Sequence, residues 1–140
     1  MTDSEATLPI AVCGLHMTGQ VLNWQLTDIG STFAQACKTA PVYKMYALAS
    51  PEGKPSKPGL VRVTDGGGSA FDLEVWNVPL GGVGQFLQYV PAPLAIGQVE
   101  LETGTSVHGF LCEGYVANKK EGVQDISHMS GWIEYLKSQK

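Results

Sequence analysis

His16 is the side chain in this sequence best placed to move a proton. It follows the apolar run Leu8-Pro9-Ile10-Ala11-Val12-Cys13-Gly14 and lies in a short segment closed by Gly19. A strand ending in glycine lets its backbone approach a ligand closely, and the amides that follow can face an anion. An imidazole at that point serves as base, acid or neutral donor near pH 7. The alternative is a solvent-exposed loop histidine. Glu74 is the next candidate, because alternation puts it on the same strand face as Trp76, and a carboxylate dried by an aromatic neighbour has a raised pKa. A solvent-facing strand glutamate is the competing reading. Tyr43 and Tyr46 fall on opposite faces of one strand, so at most one points inward, where its hydroxyl needs a partner that a substrate can supply. Arg62, the single arginine, is the only guanidinium available for a bidentate clamp on a carboxylate; a strand-surface role is the alternative.

Other chemistries find no support. The chain has no Walker A sequence, no G-x-G-x-x-G after a strand, no H-E-x-x-H and no G-x-S-x-G. His16, His108 and His128 show no metal-ligand spacing with cysteine, so neither a metal nor another cofactor is expected. Gly66-Gly67-Gly68 reads as a hairpin turn rather than a phosphate cradle. Three cysteines (Cys13, Cys37, Cys112) form no paired pattern and read as free thiols in a reducing compartment, the cytoplasm. Cys13 and Cys112 lie in apolar strands and behave as small core hydrophobes. A net charge of −4 with a single arginine argues against a nucleic-acid partner. No apolar run approaches the roughly 18 residues of a membrane span, and the acidic N-terminus lacks the basic region of a signal peptide.

The elements that must hold these residues follow from patterning. At 140 residues, 44% hydrophobic and 16% charged, the chain suits one domain that needs no disulfide or metal to fold. Its 17 glycines and 8 prolines imply frequent turns and argue against a helix bundle. Ser31 to Thr39 and Val42 to Leu48 alternate at period two, as half-buried strands do. Residues 50–59 form a Pro/Gly-rich loop. Leu60 to Val63 and Phe71 to Val78 are expected to pair as a hairpin, as are Ile96 to Leu101 and Ser106 to Cys112. Val83, Phe86, Leu87 and Val90 have helical spacing ahead of Pro91. Ser127 is the expected N-cap of a C-terminal helix carrying Trp132, Ile133, Tyr135 and Leu136. Periodicity leaves Val21 to Leu26 open between one turn of helix and an irregular loop. The sum is an α+β fold, a small, mostly antiparallel β-barrel with short flanking helices, over residues 8–137 after a disordered tail at 1–7.

The order of residues also resembles a known family. Ile10-Ala11-Val12-Cys13-Gly14-Leu15-His16-Met17-Thr18-Gly19, followed by Leu22-Asn23-Trp24-Gln25-Leu26, is similar to the opening of the allophanate hydrolase C-terminal domain, which typically shows G-A-H-L-x-G-x-P-L-N. The likeness continues through Thr39-Ala40-Pro41-x-Tyr43-x-Met45-Tyr46-Ala47-Leu48, Pro58-Gly59-Leu60-Val61-Arg62-Val63 and Glu74-Val75-Trp76. It resumes at Val90-Pro91-Ala92-Pro93-Leu94-Ala95-Ile96-Gly97-x-Val99-Glu100-Leu101 and Gly109-Phe110-Leu111-Cys112-Glu113, and closes with Asp125-Ile126-Ser127-x-x-x-Gly131-Trp132-x-x-Tyr135-Leu136. The resemblance implies a fold similar to γ-glutamylcyclotransferases. It also implies a role in urea-nitrogen metabolism, promoting decarboxylative breakdown of N-carboxycarbamate or a related carboxylated urea.

On that reading the family's histidine falls on His16, the catalytic residue. The amides of Gly14, Leu15 and Met17 would face the substrate's carboxylates, with Asn23, Tyr46, Arg62 and Glu74 as further binding residues. Leu15 and Val21 depart from the family's alanine and proline. The region Gln88-Tyr89-Val90-Pro91-Ala92-Pro93 lacks the carboxylate of the cyclotransferases, which argues against γ-glutamyl cyclisation. In allophanate hydrolase an amidase domain precedes this one. The chain is therefore expected to be a free-standing paralogue or to work with a separate amidase, its partner being a small anionic substrate. The alternative is a non-catalytic module that docks onto an amidase or dimerises through Trp132 and Tyr135.

Overall fold

The first apolar run becomes β1 (Thr7–Val12), the central strand of a five-stranded sheet in the computed structural model, which describes residues 6–52 and 54–139. Ile10, Ala11 and Val12 are buried on both faces, which is why this strand reads as an unbroken apolar run. Of the tail expected at residues 1–7, residues 1–5 lie outside the described residues, and Thr7 opens β1. After α1 (Trp24–Thr27) come β2 (Thr32–Lys38), β3 (Tyr43–Leu48), β4 (Lys57–Arg62) and β5 (Asp72–Pro79). Then follow α2 (Leu80–Leu87), β6 (Leu94–Glu100), β7 (Ser106–Cys112), a 3₁₀ turn at Gly114–Asn118, β8 (Val123–Asp125) and α3 (Trp132–Ser138).

The expected mixed α+β class holds, but the barrel does not close. The strands form two sheets, ordered β2-β5-β1-β7-β6 and β4-β3-β8. Among the described residues the outer strands β2 and β6 approach only at one corner, through a bridge between Thr39 and Leu101. The smaller sheet instead covers one face of the larger. There Ala11, Leu73, Val75 and Val99 meet Met45, Leu60, Phe71, Ile126, Trp132 and Tyr135 in one core. The opposite face carries a second core of Ile10, Val12, Trp76, Val78 and Phe110 under Leu26 and Phe86 from α1 and α2. Strand β5 serves both, and its period-two alternation sends Leu73 and Val75 to one core and Trp76 and Val78 to the other.

Two local expectations need correction. The strands β4 and β5 do not pair: β4 is antiparallel to β3, and β5 lies between β1 and β2. The Gly66-Gly67-Gly68 stretch is thus a crossing between sheets, with Asp65 Oδ1 accepting from the Gly67 amide at 2.8 Å. Ser127 caps no helix. Its hydroxyl accepts from the Met45 amide at 3.0 Å and extends the β3–β8 pairing, while α3 begins at Trp132. Trp132 and Tyr135 are 1% and 8% exposed, so they belong to the core and offer no docking face. The β6–β7 hairpin is present as expected, and α2 starts at Leu80, a turn earlier than its spacing predicts.

The parallel contact of β1 with β7 depends on Gly109, whose partner is Ala11. A Cβ at position 109 would lie 2.8 Å from Ala11 Cβ and 2.9 Å from its carbonyl oxygen. Overpacking at this point costs about 1–3 kcal/mol. Gly109→Val is therefore expected to lower the urea midpoint of unfolding, and an unchanged midpoint would show that β1 and β7 are not so apposed.

Candidate functional site

The segment carrying His16 is fastened on several sides. The chain leaves β1 through Cys13 and Gly14 and turns at once, with the Met17 amide donating to Gly14 O at 3.0 Å and the Gln20 amide to Met17 O at 2.9 Å. Asn23 Nδ2 donates to His16 O at 2.8 Å. Three donors converge on Glu74 Oε1: the Thr18 amide at 2.8 Å, the Thr18 hydroxyl at 3.0 Å and Trp76 Nε1 at 3.1 Å. Below the loop, Gly14 lies face-on to Pro58, and an added Cβ would come within 2.3 Å of Pro58 Cγ. The close approach that this glycine permits is thus to Pro58 at the start of β4 and not to a ligand.

His16 itself is 7% exposed. Its ring stacks on Phe110 at 5.0 Å and meets the Phe86 ring edge-on at 5.3 Å. Nε2 lies 2.6 Å from Gln25 Oε1, a short hydrogen bond in which the neutral ring donates. Burial lowers the pKa of His16, with the Gln25 hydrogen bond opposing that shift. The imidazole is accordingly neutral at pH 7, because charging it removes an ion from water.

A cavity of about 430 Å³ opens beside this pair. Gly14, Leu15 and His16 line it together with Leu22 and Gln25 from the α1 segment, and with Tyr89, Pro91, Leu94 and Phe110. The proline-rich loop and the start of β4 complete it with Ser50, Lys54, Lys57 and three prolines. Among the described residues its lining has no carboxylate. Cys13 also lines it, but burial pushes that thiol up to about 12, so it stays protonated and supplies no nucleophile. Among the described residues no three His, Cys, Asp or Glu side chains gather at metal-binding distance.

Of the residues expected at the site, the structure brings together His16, Gly14 and Leu15. Met17 packs in the second core, and its amide is already engaged with Gly14. Asn23 and Glu74 hold the loop from outside the cavity. Tyr46 is buried against Leu48, Cys112 and Val116. Arg62 pairs with Glu100 at 2.9 Å and lies over the Tyr43 ring. Neither Tyr46 nor Arg62 lines the cavity. Tyr43 is fully buried in the main core, its hydroxyl accepting from the Glu100 amide. Gln25, Lys54, Lys57 and Phe110 are the additions. A glutamine flanked by Trp24 and Leu26 was the one available signal for Gln25: α1 is a single turn that faces both Gln25 and Leu26 inward.

The fold has counterparts among known proteins. The model of the allophanate hydrolase C-terminal domain matches residues 8–137. The chain belongs to that family. It is 40% identical to the urea amidolyase of Saccharomyces cerevisiae over 140 residues, which are 99% of this chain and 7% of that protein. Kluyveromyces lactis allophanate hydrolase superposes with a TM-score of 0.91 at 40% identity, covering 100% of this chain and 22% of that one. A uropathogenic E. coli-specific protein superposes with a TM-score of 0.82 at 31% identity, covering 94% of this chain and 97% of that one. The allophanate hydrolase C-terminal domain family thus includes this chain, which spans only a small part of its curated urea amidolyase relatives. No helix among the described residues is long and apolar enough to cross a membrane.

Two measurements follow from the site's construction. Because the folded pKa of His16 lies below its ordinary 6.5, the unfolded chain binds more protons as pH falls. The stability linked to His16 is therefore complete above pH 6.5 and lost as pH drops toward the folded pKa. Thermal unfolding of His16→Gln is expected to fall less between pH 7.5 and pH 5 than that of the wild type; parallel curves would contradict a buried neutral ring. In Glu74→Ala the Thr18 amide loses its acceptor, and hydrogen exchange there should quicken about tenfold, the equivalent of one such bond. Unchanged exchange would show that Glu74 does not hold the loop.

Proposed function

We propose that this protein takes a small carboxylated urea or amide into the His16 cavity and promotes the decarboxylative breakdown of N-carboxycarbamate in urea-nitrogen metabolism. The observation that carries this reading is a buried, neutral imidazole, oriented by Gln25, at the wall of a cavity whose described lining holds no carboxylate. Family membership and the urea amidolyase relatives support the substrate class.

The chemistry asks for one proton. N-carboxycarbamate, ⁻O₂C–NH–CO₂⁻, loses carbon dioxide when its nitrogen is protonated as one C–N bond breaks, the bonding pair staying on nitrogen. The products are CO₂ and carbamate, H₂N–CO₂⁻. An empty cavity keeps His16 neutral by desolvation. A bound dianion offers an opposite charge beside the ring and favours the imidazolium, which takes its proton from solvent. His16 then passes that proton to the substrate nitrogen and returns to the neutral form that the empty cavity prefers. Gln25 holds the ring plane through the transfer, with the Phe110 and Phe86 rings packed against the imidazole.

General acid catalysis of this kind contributes about 10²-fold or more. With an allophanate-cleaving amidase supplied, CO₂ release from allophanate should slow by about that factor in His16→Ala, while the amidase step is unaffected. A His16→Ala protein that matches the wild type would overturn the assignment. The second reading, a non-catalytic module docking onto an amidase or a second copy, draws on the exposed apolar side chains Val21, Trp24, Leu80 and Leu87. It would be favoured by full activity in His16→Ala together with co-purification of the amidase.

A further inference from the structure

The cavity has a charged side that the proton-transfer reading does not use. Lys54, in the proline-rich loop, and Lys57, at the start of β4, both line it in a chain whose net charge is −4. Neither makes an ion pair among the described residues, whereas Lys38 is held by Asp72 and Arg62 by Glu100. Their placement is built rather than incidental. Lys57 opens β4 and pairs with Leu48, and the Lys54 amide closes a turn by donating to Pro51 O at 2.9 Å. Pro51, Pro55 and Pro58 restrict the loop, and the Gly14–Pro58 contact presses it against the segment bearing His16. The cavity lining thus combines a neutral, hydrogen-bonding imidazole–amide pair with two lysines, Lys54 exposed and Lys57 half-buried. Leu15, Leu22, Leu94 and Phe110 make much of the remaining lining apolar, which strengthens an ammonium–carboxylate attraction where a ligand displaces water from it.

We propose that Lys54 and Lys57 are the specificity-determining residues of this cavity: they hold a carboxylate that is not lost in the reaction, select small dicarboxylates over neutral amides, and direct the ligand's other end to His16 and Gln25. The inference rests on the His16 cavity being the ligand site. It adds the polarity of binding, because a carboxylate clamped by two ammonium groups is a poor leaving group, whereas the carboxylate left in the apolar part of the cavity is free to depart as CO₂.

Malonate, which replaces the NH of N-carboxycarbamate with CH₂ and cannot lose CO₂ by the same protonation, is a suitable probe, with neutral malonamide of similar shape as its control. Calorimetric titration of the wild type should show malonate binding more tightly than malonamide, with the His16 ring resonances shifting. Charge-assisted contacts of this kind are worth about tenfold each. Lys54→Met/Lys57→Met, which keeps the stems, should weaken malonate by about that factor or more and leave malonamide unchanged. Lys54→Arg/Lys57→Arg should retain the preference for malonate. Lys119→Met/Lys120→Met, which changes net charge equally at exposed positions outside the cavity lining, should leave malonate affinity as it was. Equal malonate affinity in the Met variant and the wild type would overturn the proposal, as would a wild type that prefers malonamide or binds neither. Malonate bound through the lysines alongside full decarboxylation by His16→Ala would leave this proposal standing and remove the catalytic reading instead.

Discussion

Gly14 touches Pro58 where the central strand of the large sheet gives way to the histidine loop, and the rest of the site depends on that contact. The separation, 2.3 Å from an imagined Cβ to Pro58 Cγ, leaves no room for any side chain. Because Pro58 belongs to the small sheet and Gly14 continues from the large one, the contact brings the two sheets together at the mouth of the cavity. It also brings Lys54 and Lys57, from the loop and the start of β4, beside the loop with the histidine. Without it, a neutral donor and two lysines would not line one cavity.

Around that contact, hydrogen bonds fix what packing leaves free. The carboxylate of Glu74 gathers three donors from Thr18 and Trp76, and Asn23 ties the His16 carbonyl. Both residues have the side chains expected of ligand-binding groups, yet both spend their hydrogen-bonding capacity on the loop. Positioning is a real contribution, since a buried imidazole is useful only if its ring plane is held. The division is clear: Gln25, Phe86 and Phe110 set the ring's orientation and electrostatics, while Glu74 and Asn23 set the backbone that carries it.

Much of this was legible along the chain. Apolar runs, period-two alternation and glycine positions located most strands and the β6–β7 hairpin, and the Gly14-Leu15-His16 order pointed to the histidine. Three errors share one cause. The β4–β5 hairpin, the closed barrel and an exposed helix face with Trp132 and Tyr135 all concern which surfaces meet. Alternation reports that a strand has two faces, but says nothing of which strand lies beside it. The same limit hid Lys54 and Lys57, which read as part of a solvated Pro/Gly-rich loop, and misdirected Arg62, whose partner Glu100 lies on another sheet.

The sequence by itself determined the local conformations, the two-faced character of β5, the absence of the standard nucleotide and metal motifs, and the family through its ordered motifs. These depend on neighbours within a few residues, where sterics and side-chain periodicity act directly. Tertiary structure alone decided that the strands form two stacked sheets, that Glu74 and Asn23 support the loop, and that His16 shares a cavity with Gln25 and two lysines. Those outcomes depend on contacts between segments far apart in the chain, such as Thr18 with Glu74 and Gly14 with Pro58. They are selected by how surfaces fit once the cores have formed, a property that no single stretch of residues carries.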